Sequence, residues 1–170
     1  MIRVQSTVEV PASAIEFDEY IPAIVRWSTA ARSTPFYYRL CGESGELIEV
    51  GLDAETLAIC KLGVISISVL DVYTGSFRSV GALRGLPTFE RDPSWADPPD
   101  YTDVNLPIRV SFRVPDLWIF FMLGNLQEVN TIIEAGPVKF AIDSSSCLIG
   151  ASIELPTGDH YARLRTIAEG

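Results

Sequence analysis

Apolar and polar residues alternate along IRVQSTVEV (2–10), the two-residue period of a strand with one face on a core. The next stretch, EFDEYIPAIVRWSTAAR (16–32), changes period. Phe17, Tyr20, Ile21, Ile24, Val25 and Trp27 fall near helical spacing, with acids Glu16, Asp18 and Glu19 ahead of bases Arg26 and Arg32. That charge order suits a helix dipole. Pro22 is tolerated in a first turn but not in a helix interior, so the pattern predicts a helix over 22–32.

Beyond Pro35 the pattern turns to strands. FYYRLCG, ELIEVGLD and LAICKLGVISISVLDV are rich in aromatic and β-branched residues and broken at GESGE and DAET. After a central polar segment, strands resume with LPIRVSFRV, DLWIFFML, EVNTIIEA, VKFAID and CLIGASIEL. In the tail, Tyr161, Leu164 and Ile167 at three-residue steps predict a short helix starting near Thr157.

Two hairpins, IEVGLDAETLAI (48–59) and VKFAIDSSSCLIG (138–150), share one grammar. Ile48, Val50 and Leu52, like Val138, Phe140 and Ile142, point to one face. Asp53 and Asp143 then open the turns, where an Asp side chain accepts backbone N–H bonds two residues on. The match suggests a single domain over 1–170 made of two similar halves, 1–86 and 105–170, joined by an acidic loop at 87–104; generic hairpin grammar explains it equally. The expected fold class is α+β, mainly antiparallel β, with about eight to ten strands and one or two helices. A curved sheet wrapping the 22–32 helix is the favoured arrangement, a sandwich the alternative.

Composition narrows the function classes. A chain of 170 residues, 48% hydrophobic and 21% charged, is long enough to bury a core and too apolar for global disorder. Its net charge of -9 opposes nucleic-acid and anionic-membrane binding and favours a basic partner. The strongest apolar run, LWIFFMLG, is far short of the roughly 20 residues needed to span a bilayer. The first residues lack the apolar stretch of a secretion signal, and Cys41, Cys60 and Cys147 form no C-x-x-C pair. A cytoplasmic protein with reduced cysteines is therefore expected.

Catalytic signatures are missing. His160 is the single histidine, so any His-dependent triad or metal site would have to use it. Ser44 in CGESGE lacks the second flanking glycine of a nucleophile elbow, and GSFRSVGALRG has the wrong intervals for a phosphate cradle. No enzyme, cofactor or metal is expected.

The unusual segment is FERDPSWADPPDYTDV (89–104). Over 86–104, five acids against one base give a charge of -4. Asp92, Asp97, Asp100 and Asp103 do not have the alternating spacing of a calcium loop. Phe89, Trp95 and Tyr101 recur every six residues, and large aromatics are too costly to leave in water along a passive linker. Either they pin the loop to the protein's own core, or they meet a partner, as aromatics ringed by charge do in binding hot spots. The candidate partner surface is Glu90, Asp92, Trp95, Asp97, Asp100, Tyr101 and Asp103.

ELIEVGLDAETLAICKLGVISI (46–67) resembles the strand, D-x-E-T, strand segment of several bacterial immunity proteins, including those against contact-dependent growth inhibition toxins. DLWIFFML (116–123) and VKFAIDSSSCLIGASIEL (138–155) are similar to strand–hairpin patterns in small proteins of toxin–antitoxin and immunity type. The resemblance implies an acidic, cytosolic, non-enzymatic protein that binds one toxin tightly. It carries over no binding residue. The expected function is thus neutralisation of a cognate, basic toxin domain by occlusion. The alternatives are a small-ligand-binding barrel or sandwich with an interior cavity lined by Tyr37, Tyr38, Trp118 and Phe120, and an assembly subunit.

Overall fold

The computed structural model describes residues 2–17, 20–28, 34–67, 70–72, 81–93, 101–113, 116–121, 129–154, 159, 162–164 and 166; side chains of 70–72, 111–113 and 116–121 fall outside that description. Two open sheets and a ribbon account for the strands among these residues, numbered in chain order. The six-stranded sheet runs β10 (Tyr101–Asn105), β4 (Phe36–Cys41), β5 (Leu47–Leu52), β6 (Ile59–Ser66), β3 (Ala23–Trp27), β2 (Ser13–Glu16). The seven-stranded sheet runs β7 (Leu70–Val72), β11 (Ile108–Arg113), β12 (Asp116–Phe121), β15 (Leu148–Glu154), β14 (Val138–Ile142), β13 (Thr131–Ala135), β8 (Gly81–Arg84). β1 (Val4–Val8) and β9 (Leu86–Phe89) form the separate ribbon.

Both sheets contribute to one apolar core. Ile48, Val50 and Leu52 share it with Val138, Phe140 and Ile142, all fully or nearly fully buried. The Trp27 ring lies 6.0 Å from that of Phe140, and its Nε1 donates to the Ala135 carbonyl at 3.3 Å. An indole is thus buried with its one donor satisfied.

The mainly antiparallel class holds, but the described residues carry fifteen strands rather than eight to ten, and two expected elements do not hold. Residues 23–27 are a strand, not a helix. Ala23, Ile24, Val25 and Trp27 are all buried, and β3 lies hydrogen-bonded between β2 and β6. Ala23, Val25 and Trp27 enter the core and Arg26 is exposed on the other face, but Ile24, buried on that outer face as well, breaks the two-residue period. No sheet wraps a helix there. The segment 87–104 is not a loop throughout either. Its start belongs to β9, its end to β10, and Phe89 is buried at 0%. In the tail, Asp159, residues 162–164 and Thr166 have helical backbone, with Leu164 in the core.

The two sheets repeat one plan. β2 to β6 take the order β4-β5-β6-β3-β2, and β11 to β15 take β13-β14-β15-β12-β11, with every pairing antiparallel. Each plan gains a parallel edge strand from the middle of the chain, β10 beside β4 and β8 beside β13. The register breaks at matching places, Gly51/Leu52 and Ala141/Ile142. Past each bulge the turn reaches a positive φ, 54° at Leu57 and 63° at Ser146. The carbonyls of these two residues accept from the ribbon, Leu57 from Phe89 N–H at 3.0 Å and Ser146 from Val4 N–H at 2.8 Å. β1 and β9 therefore clamp the two hairpins in the same way.

A candidate binding surface at the acidic segment

Glu90 leaves β9 with its N–H donated to the Arg3 carbonyl at 2.9 Å and its carboxylate 3.7 Å from the Arg3 guanidinium. Residues 90–93 are exposed. They form one wall of a cleft of about 180 Å³; Ile2, Arg3 and Cys147 form the other. Burial, and then the nearby Asp92 carboxylate, push the Tyr38 phenol up to about 12. Tyr38 therefore remains a neutral donor throughout the physiological range.

At its far end the segment becomes β10, which pairs in parallel with β4 from Tyr101↔Tyr37 to Asn105↔Cys41. A bidentate clamp pins this register: Arg39 Nε and Nη2 donate to the two Asp103 oxygens at 2.6 and 2.8 Å. The same guanidinium stands 3.9 Å from the centroid of the exposed Tyr101 ring. Hydrogen bonding to Arg39 holds the Asp103 carboxyl below its ordinary range, and raises the Arg39 value in turn. A depressed carboxyl contributes fully above its unfolded value and loses that contribution as pH falls through the folded one. Asp103 is expected to titrate by NMR below about 3.9, the value of an unpaired Asp. Titration at or above that value would remove the clamp.

The outward face of the six-stranded sheet continues this pairing inward from β10. Tyr37 lies against Gly51, where an added Cβ would come 3.3 Å from its Cε1. Lys61 Nζ sits 5.0 Å from the Tyr37 ring centroid and 2.7 Å from Glu49 Oε2. On the far strands Arg26 Nε meets Glu16 at 3.2 Å. Each of these cations thus has a carboxylate partner, so the centre of this face is not an acidic patch. The local negative excess belongs to the segment leading into β10.

Of the seven candidate residues, Glu90 and Asp92 stand at the cleft, and Tyr101 and Asp103 on β10, joined through Arg39. Trp95, Asp97 and Asp100 lie outside the described residues. Reading the sequence missed Arg39, Lys61 and Glu49 at this face, and placed Tyr37 in an interior cavity instead. Their signal was present: alternation within FYYRLC and LIEVGL puts Tyr37, Arg39 and Glu49 opposite the core residues. Which charges meet depends on strand order, which alternation does not contain.

Tyr37 and Tyr38 point to opposite sides of β4, Tyr37 outward over Gly51 and Tyr38 into the core. They therefore do not line one interior cavity. Among the described residues, no helix is long and apolar enough to cross a membrane. No family model matches the chain, and no curated protein matches it significantly.

Proposed function

We propose that this protein is a binding protein of immunity type, which neutralises a basic toxin domain by occluding it. The observation that carries this reading is the way the acidic segment is fastened. Phe89 is buried at one end, β10 is zipped to β4 at the other, and Glu90, Arg91, Asp92 and Pro93 are exposed between. A free linker needs neither anchor. Fixing both ends removes much of the entropy that ordering the segment on a partner would otherwise cost. Its charge of -4 over 86–104 speeds encounter with a cationic surface, and exposed aromatics such as Tyr101 slow departure.

The test is co-expression with the polypeptide encoded immediately beside its gene, followed by purification and binding kinetics. A stable complex and loss of the neighbour's toxicity are expected. Neutralising Asp92, Asp97 and Asp100 to Asn, with the Arg39–Asp103 clamp left intact, is expected to slow association about tenfold at low salt, and less as salt rises. Trp95→Ala is expected to act on the dissociation rate. Absence of a complex, or unchanged kinetics in both variants, would count against this reading and this surface respectively.

A further inference from the structure

The shared plan of the two sheets breaks at one edge. In the seven-stranded sheet, β11 is covered by β7, a short strand running parallel to it through Val110↔Leu70, Ser111↔Asp71 and Phe112↔Val72. The strand corresponding to β11 is β2, because Ile15 pairs with Val25 as Val110 pairs with Ile119. Beside β2 no strand is present among the described residues, and β2 ends its sheet.

The groups left over at this edge follow from the ladder. Ser28 N–H donates to the Ala12 carbonyl at 2.8 Å, so Ala12, Ala14 and Glu16 turn their peptide groups toward β3. Ser13 and Ile15 turn theirs outward, with no partner among the described residues. Glu9 precedes the strand and Glu16 ends it, its carboxylate 3.2 Å from Arg26 Nε, and along the sequence residues 9–19 hold four acids and no base. A second copy would bring the same acids against these, within a chain of net charge -9. That opposes self-pairing and favours a cationic strand.

We propose that the outer edge of β2 is a strand-addition site, which takes an extended segment with basic side chains from a partner protein. The segment would lie parallel to β2, where β7 lies against β11, and bond the Ser13 and Ile15 peptide groups. The identity of the partner as a toxin rests on the proposed function; the edge and its chemistry do not.

The experiment uses the full chain and two eight-residue peptides, one with Leu, Lys and Val at its centre flanked by alternating Thr and Lys, the other with Glu replacing every Lys. Amide hydrogen exchange is followed by NMR at Ser13 and Ile15, with Ala14 and Glu16 as internal references. In the free chain Ser13 and Ile15 are expected to exchange rapidly and Ala14 and Glu16 slowly. The basic peptide is expected to slow Ser13 and Ile15 about tenfold, and the acidic peptide to leave both unchanged. Ser13→Pro removes one outward N–H at the first residue of an edge strand, where proline is tolerated, and is expected to abolish the effect at Ile15. Ala14→Lys leaves the backbone intact, and repulsion is expected to weaken the basic peptide severalfold. The proposal is overturned by Ser13 and Ile15 already protected in the free chain, by protection that grows with chain concentration alone, by equal effects of both peptides, or by protection only elsewhere. A toxin complex in which Ser13 and Ile15 stay unprotected would overturn it while leaving the proposed function standing. Peptide docking in a chain that neutralises no toxin would do the reverse.

Discussion

Phe140→Ala is expected to lower stability by about 3–5 kcal/mol. The ring is fully buried, belongs to the core shared by both sheets, and forms one wall against Trp27. Its removal leaves a cavity that a sheet cannot collapse, because neighbouring strands are held at fixed spacing by their ladders. Net stabilities of domains are only about 5–15 kcal/mol, so the variant is expected to sit near the folding threshold. Val50 occupies the corresponding place on the opposite sheet and is equally buried. With fewer buried carbons, Val50→Ala is expected to cost only about 2 kcal/mol. Denaturant midpoints at unchanged slope measure both. A loss below about 1 kcal/mol for Phe140→Ala would mean that the sheets do not share one core.

Asp53→Ala is expected to cost about 2–3 kcal/mol, and Asp143→Ala about 1, although the two residues open equivalent turns. The difference lies in what each carboxylate holds. Asp53 is buried, and its Oδ1 accepts from Thr56 N–H and Thr56 Oγ1, both at 2.7 Å, and from Glu55 N–H at 3.2 Å. Asp143 is half-buried and accepts only from Ser145 and Cys147 N–H, each at 2.8 Å. Burial alone would raise the Asp53 value; hydrogen bonds from Thr56 and Glu55 outweigh it and hold the carboxyl below its ordinary range. Its contribution is therefore complete above about pH 4, where an unfolded Asp is ionised, and is lost as pH falls through the lower folded value. Unfolding at pH 7 and pH 3 is expected to show the Asp53→Ala deficit shrinking at the acid end. A deficit independent of pH would assign the loss to the turn's shape alone.

These hairpins were the part of the fold most legible in the sequence, for a physical reason. An alternating strand, an Asp that bonds the next backbone amides and a second strand are all local, so a dozen residues determine the unit. The strand at 23–27 was not legible, since Ile24, an apolar residue on the same outer face as Arg26, broke the period that would have identified it. β10 was hidden differently: TDV within an acidic, proline-rich segment has little strand character. It is ordered by Arg39, distant in sequence, which clamps Asp103. The candidate surface was half readable, its acids and aromatics visible by composition and the partners that neutralise Asp103 and Glu49 invisible.

By itself, then, the sequence determined the β-rich class, the two Asp-opened hairpins, the inward set Ile48, Val50, Leu52, Val138, Phe140 and Ile142, and the charge of the central segment. Only the tertiary structure decided that these hairpins lie in two sheets of one plan, that the acidic segment is fastened at both ends, and that among the described residues the edge of β2 lacks the strand its counterpart has. Local periodicity and turn chemistry act over a few residues, and one chain records them directly. Strand order, parallel edges and ion pairs depend on which distant surfaces bury one another, and that is settled by the packing of the whole core.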